Sequence, residues 1–343
     1  MQELVHVSVL IPAFNSAATL AQAASSALRQ SLTDIELLII DDGSSDDTRA
    51  VASALAATDS RVRLIAFDHN RGKPYAMNTA MNLACGRWIA VLDADDWYSP
   101  DRLANLVEAG ERRCVDLVAD NQYIYDDGAK QVVGMAFPTR KGSRRLDKST
   151  LIAGSNPYAD FDFGMLKPML RARAIRQIGL HYRENARMSE DFLFLAEFLA
   201  AGGEGWLVAQ PLYYWRQAFG KLSRQWTNTG KGKWRYDFLS GARANLEVRQ
   251  IMQARGDREL GSVLLTRARA FRRLHWLQEL NRLRAGGASS VRLAETALRH
   301  PTVWPLVVQR SARRGARTVQ SARQFVFERL IRRTTPTART PNA

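Results

Sequence analysis

The chain is short of the residues that most often announce chemistry. Two cysteines, Cys85 and Cys114, stand among 343 residues. They supply neither a disulfide framework nor a cysteine-ligated metal, and they fit a reducing compartment. None of the five histidines pairs with another at ligand spacing, and His69 in "DHNRG" is read as a loop residue. No Ser-His-Asp arrangement, cysteine cluster or phosphate-cradling P-loop occurs. No run of about 18 apolar residues exists, which excludes a membrane-spanning helix. The start, "MQELVHVSVLIPAF", carries Glu3 and no basic n-region, so no signal peptide is expected. These absences together predict a cytoplasmic protein.

Lysine is also missing, but only from one end. Residues 241–343 hold 21 Arg, no Lys and 6 acidic residues, an excess of +15, which is the net charge of the whole chain. The first 240 residues therefore balance, with 28 basic against 28 acidic side chains. This shift, together with a change to helical, Arg- and Ala-rich text, predicts a boundary near residue 225. Residues 1–225 are expected to form one domain and 226–343 a basic helical region. No internal repeat is found.

The first 120 residues alternate between two periods. Short β-branched runs ("VHVSVLI", "IELLII", "VRLIAF", "RWIAVL", "VDLVA") alternate with Ala- and Leu-rich helical stretches. This predicts an α/β fold built on a mostly parallel, Rossmann-like sheet. Ligands of such sheets bind beyond the carboxyl ends of the strands. The polar clusters fall there: "PAFN", "DDGSSDDT", "DHNRGKP" and "DADD" follow the first four strands in turn. Further on, "KPMLRARAIRQIG" and "SEDFLFLAEFLAAGG" read as helices stopped by Gly, and "EGWLVAQPLYYWRQ" as a strand followed by an aromatic segment.

Two acidic clusters ask for more than a turn. In "IIDDGSSDDT" a helix cap from Ser44 or Ser45 accounts for Ser45, Asp46, Asp47 and Thr48. It leaves Asp41 and Asp42, whose carboxylates can accept hydrogen bonds from a ribose hydroxyl or a base N–H. In "DADD" a cap from Asp96 or Ser99 leaves Asp93 and Asp95 unexplained. Two carboxylates one residue apart in a turn can converge on a hard divalent cation that keeps waters and phosphate oxygens. Mg2+ or Mn2+ so placed would neutralise a diphosphate leaving group.

With these motifs assembled, "VSVLIPAFNSAATLAQAASSALRQSLTDIELLIIDDGSSDDT", "NRGKPYAMNTAM", "GRWIAVLDADDWYSPDRL" and "SEDFLF" together resemble the family 2 glycosyltransferases of the GT-A fold. The resemblance covers residues 5 to about 220, with the motifs in order. Within the family it is similar to the bacterial exopolysaccharide enzymes that extend lipid-linked oligosaccharides, such as those of succinoglycan assembly. The resemblance implies an inverting hexosyl transfer from a nucleotide-diphosphate sugar, a UDP-sugar such as UDP-glucose, with Mn2+ or Mg2+ as cofactor. It places Pro12, Ala13, Phe14 and Asn15 around the nucleotide and Asp42, beside Asp41, on the base. Arg71, Lys73 and Asn78 would lie near nucleotide or diphosphate, although Lys73 also reads as a solvated loop lysine. Asp93 and Ala94 would face ribose or sugar. Asp95, with Asp93, would ligate the metal.

The Glu190–Asp191 pair supplies the expected base. Inverting transfer needs a carboxylate to take the acceptor hydroxyl's proton; the resemblance implies that this role falls to Asp191, with Glu190 positioning the acceptor. A helix cap through Ser189 accounts for the same letters. Lys167 and Arg171 can approach a glycan or its lipid diphosphate, or be solvated helix charges. "YYWRQAFGKLSRQ" resembles the family's site-closing loop, which implies that Arg216 reaches the diphosphate; Tyr213, Tyr214 and Trp215 can stack on sugar or fill the core.

Other classes explain less. A sugar nucleotidyltransferase shares the architecture and the metal, but no Gly-rich G-x-G-x-R loop follows the first strand. A nucleic-acid binder would use the Arg-rich tail and leave "DADD" idle. A degenerate transferase kept as a scaffold conflicts with the intact acidic motifs. The tail has a further reading. Over residues 303–333, Trp304, Val308, Ala312, Ala316, Val319, Ala322, Val326 and Leu330 recur three or four apart among arginines. This pattern predicts an amphipathic helix for an anionic membrane surface, or a helical cap on the catalytic domain. The first would put the protein on the cytoplasmic face of the inner membrane, beside a lipid-linked acceptor.

Overall fold

The computed structural model describes residues 5–157, 161–217 and 237–300. The predicted alternation is present: β1 (Val7–Ala13), α1 (Leu20–Leu28), β2 (Ile35–Asp41), α2 (Thr48–Thr58), β3 (Val62–Ala66), α3 (Lys73–Leu83) and β4 (Trp88–Val91) follow one another. The short β5 (Trp97–Tyr98), α4 (Arg102–Arg113) and the long β6 (Leu117–Asp126) come next. Residues 131–153 hold β7 (Gln131–Met135), β8 (Arg144–Leu146) and α5 (Lys148–Ala153). β9 (Met169–Arg171), α6 (Ala172–Ile178), α7 (Glu190–Ala200) and β10 (Gly205–Gln217) complete the sheet.

The sheet runs β3-β2-β1-β4-β9-β6-β10-β5, with β7 paired to β6 and β8 to β10. β1 to β4 are mutually parallel, as are β6 and β10. β9 is antiparallel to both β4 and β6 and joins the two halves. That strand corrects the reading of "KPMLRARAIRQIG" as one helix. Its first residues are straight-chain helix formers, but slots on both sides satisfy their backbone groups as a strand, and the helix starts only at Ala172.

Strands buried on both faces explain the continuous apolar runs. Alternate residues enter different cores, as the strand period of two requires. Leu10, Leu38, Ile40, Ile89 and Val91 face the core that contains Met77 of α3 and Phe192 and Leu195 of α7. Val9, Ile11, Leu37, Ile39 and Ala90 face the other, with Leu20 of α1 and Leu103 and Leu106 of α4. Three further helices span Phe238–Ala254, Arg258–Ala285 and Ser290–Arg299. Met1–His275 and Trp276–Ala343 form two compact units. Ala244, Val248, Met252, Leu260 and Leu264 share the α7 core, so the composition shift near residue 225 is one of charge and not of packing. In the second unit Trp276 stacks on His300. The predicted amphipathic stretch 303–333 lies outside the described residues.

One ion pair sits wholly inside the first unit. Arg102 is 0% and Asp120 is 2% exposed. The guanidinium donates to Asp120 at 2.7 Å and to the main-chain oxygen of Lys167 at 2.5 Å. Removing one member of such a pair strands a buried charge, whereas removing both does not. Arg102→Met is expected to lower unfolding free energy by about 3–5 kcal/mol, and Asp120→Asn added to it should recover much of that loss. Urea unfolding of the three proteins decides; equal stability of the single and double variants would refute the pairing argument.

Candidate active site

The loops beyond β1, β2 and β4 converge, and most of their polar groups hold one another in place. Asn15 adopts a left-handed backbone (φ 50°). It donates its main-chain N–H to Ser44 Oγ at 3.0 Å, and its side-chain oxygen accepts the Ser45 N–H at 2.9 Å. Before it, Pro12 and Ala13 end β1, and Phe14 is 37% exposed. Ser44 and Ser45 therefore fasten the first loop to the second. They do not cap α2; Asp46 accepts the N–H of Thr48, its first residue, at 3.0 Å.

Asp41 is fully buried and accepts from Arg49 at 2.9 Å and from the Ser44 N–H at 3.1 Å. Asp42 spends its two oxygens on the N–H groups of Arg71 and Gly72, at 2.7 and 2.8 Å. Burial raises its pKa against the pull of those two donors. Gly72 takes φ 95°, which glycine adopts freely, and α3 opens at Lys73. Arg71 lies over the ring of Tyr75 at 3.3 Å. Asn78 points elsewhere: its amide clamps the main chain of Tyr182, accepting at 2.8 Å and donating at 2.9 Å. A place beside the diphosphate does not fit that commitment.

At the centre two lysines bridge the carboxylates of both acidic motifs. Lys73 Nζ lies 2.9 Å from Asp93, 3.2 Å from Asp191 and 3.8 Å from Glu190. Lys167 Nζ lies 2.8 Å from Asp93 and 2.6 Å from Asp191. Burial alone would raise the Asp93 carboxyl, but Lys167 and Lys73 overcome it and hold the group far below the usual range. For both lysines burial pulls downward, and the carboxylates outweigh it, so both ammoniums are held charged. Burial, followed by the charge of Asp191, pushes Glu190 upward. Lys167 is buried, and Lys73 is partly exposed but paired with carboxylates. One oxygen of Asp191, Oδ1, is buried with no hydrogen-bond partner.

The two motifs are presented in different ways. Ser189 precedes α7 with φ 71° and makes no side-chain cap bond, which corrects the expected serine cap. A left-handed non-glycine residue costs about 1–3 kcal/mol, and this one immediately precedes Glu190 and Asp191. In the "DADD" turn Ala94 is buried and Asp96 is internal. Asp96 accepts the Tyr213 hydroxyl at 2.7 Å and the Arg216 N–H at 2.8 Å. Burial, then the charges of Asp95 and Asp93, hold its pKa well above normal. It is not a cap, and α4 opens at Arg102 without a side-chain cap bond from Asp101. Arg216 donates to the main-chain oxygen of Asp95 at 2.6 Å, to Asp127 at 2.5 Å and to Gln22. The guanidinium expected at the diphosphate is committed to the turn.

Asp95 alone of the three carboxylates opens to solvent and has no ion pair among the described residues. Protein packed close around it, followed by the negative charge of Asp93, raises its pKa. A carboxylate that is both available and disfavoured as an anion suits a cation. No group of three or more His, Cys, Asp or Glu among the described residues closes a metal site from protein ligands alone. The fit is thus to a hard cation completed by phosphate oxygens and water, with Asp95 as the available ligand. Asp93 is engaged by Lys73 at one oxygen and by Lys167 at the other.

Three aromatic positions divide. Tyr213 is in the core, whereas Tyr214 stacks between Trp97 and Tyr123, and Trp215 meets Phe161 edge-on. Arg171 is buried on Glu111, at 3.0 and 2.8 Å, and lies over Trp88. Two residues were missed as members of the cluster. Lys167 had one signal, a lone lysine inside the apolar run "GMLKPML", where an ammonium must be paired. Buried Tyr182, stacked on Phe194 at 4.2 Å, had none. A depressed carboxyl contributes stability that is present above its unfolded pKa and lost as pH falls. Asp93→Asn should therefore be clearly less stable than the parent at pH 7, and the gap should narrow below about pH 4. Urea titrations across that range read it out, and a gap independent of pH would remove the two lysines as its cause.

Residues 8–167 match the Glycosyl transferase family 2 model. Succinoglycan biosynthesis protein ExoO of Rhizobium meliloti (strain 1021) is 35% identical over 223 residues, covering 64% of this chain and 62% of that protein. The Escherichia coli UDP-Glc:alpha-D-GlcNAc-diphosphoundecaprenol beta-1,3-glucosyltransferase WfgD is 40% identical over 135 residues, 39% of this chain and 52% of that protein. The chain thus matches 62% and 52% of the lengths of these curated relatives. Among solved structures, S. aureus TarS 1-349, crystallised with UDP-GlcNAc, superposes with a TM-score of 0.59 at 15% identity, covering 82% of this chain and 79% of that one. Residues 8–167 thus resemble glycosyltransferase family 2, and the mostly parallel sheet is that of the GT-A fold.

Proposed function

We propose that this domain transfers a hexose, with inversion, from a UDP-sugar to a lipid-linked oligosaccharide during exopolysaccharide assembly, with Mn2+ or Mg2+ bound at Asp95. The observation that carries the reading is the meeting of "DADD" and Glu190–Asp191 in one cluster bridged by Lys73 and Lys167. One motif would face the donor and the other the acceptor. The names of WfgD and ExoO supply the donor and acceptor classes.

Asp191 is the base in this reading. Its Oδ2 is held by two ammoniums, and its unpartnered Oδ1 takes the proton of the acceptor hydroxyl. The acceptor oxygen so deprotonated attacks the anomeric carbon as the bond from carbon to the diphosphate oxygen breaks on the opposite side and the nucleoside diphosphate leaves with its electron pair. The metal, when bound, supplies charge neutralisation at the departing diphosphate. Asp42 acts by holding the Arg71–Gly72 backbone under the donor, and Arg216 by fixing the turn that offers Asp95.

Two variants should part company. Asp95→Ala is expected to remove most of the Mn2+-dependent part of UDP affinity, as calorimetry with and without EDTA would record. Asp191→Asn should leave that affinity nearly intact and slow turnover of UDP-glucose by roughly 10²–10⁴-fold. UDP binding indifferent to both EDTA and Asp95→Ala would end the metal assignment. Turnover by Asp191→Asn within about threefold of the parent would move the base to Glu190.

The protein is further proposed to attach peripherally to the inner membrane. No helix among the described residues is long and apolar enough to cross one, and the whole charge excess lies in the last 103 residues. Arginines near anionic headgroups contribute about 1 kcal/mol each. Full-length protein should float with vesicles containing phosphatidylglycerol, less so at high salt. Salt-insensitive binding, or equal binding to neutral vesicles, would refute an electrostatic attachment.

A further inference from the structure

The left-handed turn before α7 is held from a distance. Arg267, in the middle of helix Arg258–Ala285, is 4% exposed. Its guanidinium donates to Asp162 at 2.7 Å, to Ser155 Oγ at 2.6 Å and to Ser189 Oγ at 3.4 Å. It also lies over the ring of Phe192 at 3.6 Å. The same group thus touches the residue two before Asp191 and the residue directly after it. Asp162 completes the frame, because its other oxygen accepts the Gly164 N–H at 2.7 Å. Gly164 in turn packs so closely on Phe192 that a Cβ there would fall 2.5 Å from the Phe192 Cβ. Burial lowers the Arg267 pKa, and Asp162 opposes it.

Local sequence does not account for Ser189's conformation. Serine gains nothing at positive φ and makes no cap bond there, so the turn must be imposed by what packs against it. Arg267 is the charged group in that packing, and only a planar fork can serve Asp162, Ser155 and Ser189 at once while stacking on a ring. We propose that Arg267 is the positioning residue of the general base: it fixes the Ser189 turn and thereby the aim of Asp191. Helix Arg258–Ala285, which lies beyond the family-matched segment 8–167, is then part of the catalytic apparatus. This rests on the reading of Asp191 as base.

The test uses full-length protein with UDP-glucose and Mn2+, following UDP release with water as acceptor. Arg267→Lys keeps the charge and loses the fork. Arg267→Met combined with Asp162→Asn removes the fork without leaving a buried carboxylate unpaired. Both are expected to bind UDP within about threefold of the parent and to lose roughly 10–100-fold in kcat, the cost of about 1 Å of misalignment. Ser189→Gly, which adopts positive φ without being forced, should recover part of the Arg267→Lys loss. A purely structural arginine would lower UDP affinity and kcat together and show no recovery with Ser189→Gly, and either pattern overturns the proposal. Asp191→Asn is run alongside. If it turns over normally, the base reading has failed; if it is dead while both Arg267 variants have normal kcat, only the positioning role has failed.

Discussion

Carboxylates from two distant motifs cannot be brought together in a protein interior unless cations come with them. At about 4 Å, two like charges repel by about 4 kcal/mol at the effective dielectric of a protein surface, and burial adds a desolvation penalty to each. Lys73 and Lys167 meet that constraint. Each contacts both Asp93 and Asp191, so neither lysine belongs to one motif. The site is therefore a lattice in which the "DADD" turn and the start of α7 share their counterions. Within it Asp93 and Asp191 are matched by two ammoniums, and the Asp95 carboxylate stands outside that pairing.

Much of the surrounding structure exists to deliver those two ammoniums. Asp42 holds the main chain of Arg71 and Gly72, and Lys73 follows directly as the first residue of α3. The buried Arg102–Asp120 pair holds the main-chain oxygen of Lys167. Arg216 and Tyr213 grip Asp96 and the Asp95 carbonyl, which leaves the Asp95 carboxylate as the part of the turn that faces out. Several residues that motif matching assigns to the donor are thus engaged with the protein's own backbone. Recurrence of a polar residue at a loop is compatible with either job, and hydrogen-bond partners separate them.

The parallel half of the fold was legible because β1, β2 and β4 are buried on both faces and so read as apolar runs with helical text between them. The acidic motifs were legible because each follows such a run. β9 was not, since Met169, Leu170 and Arg171 prefer helix and become a strand only when β4 and β6 leave a slot between them. Nor was the Ser189 turn, because a serine before two acids is what a capping box looks like in one dimension. The pairing of Lys167, which reads in sequence as a glycan or lipid-diphosphate contact or as a solvated helix charge, was hidden because nothing in its own neighbourhood places Asp93, 74 positions upstream, beside it. In each case the missing information was a contact between segments far apart in sequence.

The arginines beyond residue 240 show the same limit from another side. Their number and the absence of lysine suggest a single surface role, yet Arg267 is inside the first unit, on Asp162 and Phe192. A planar guanidinium is the cation that tolerates such a place: it stays charged when buried, stacks on an aromatic face and serves several acceptors with one group. Lysine would satisfy a headgroup as well as arginine does, so electrostatic attachment alone gives no reason to exclude it. The exclusion makes sense if some of these positions need the fork and others only the charge. Composition then marks where the chain changes character, and packing decides what each arginine is for.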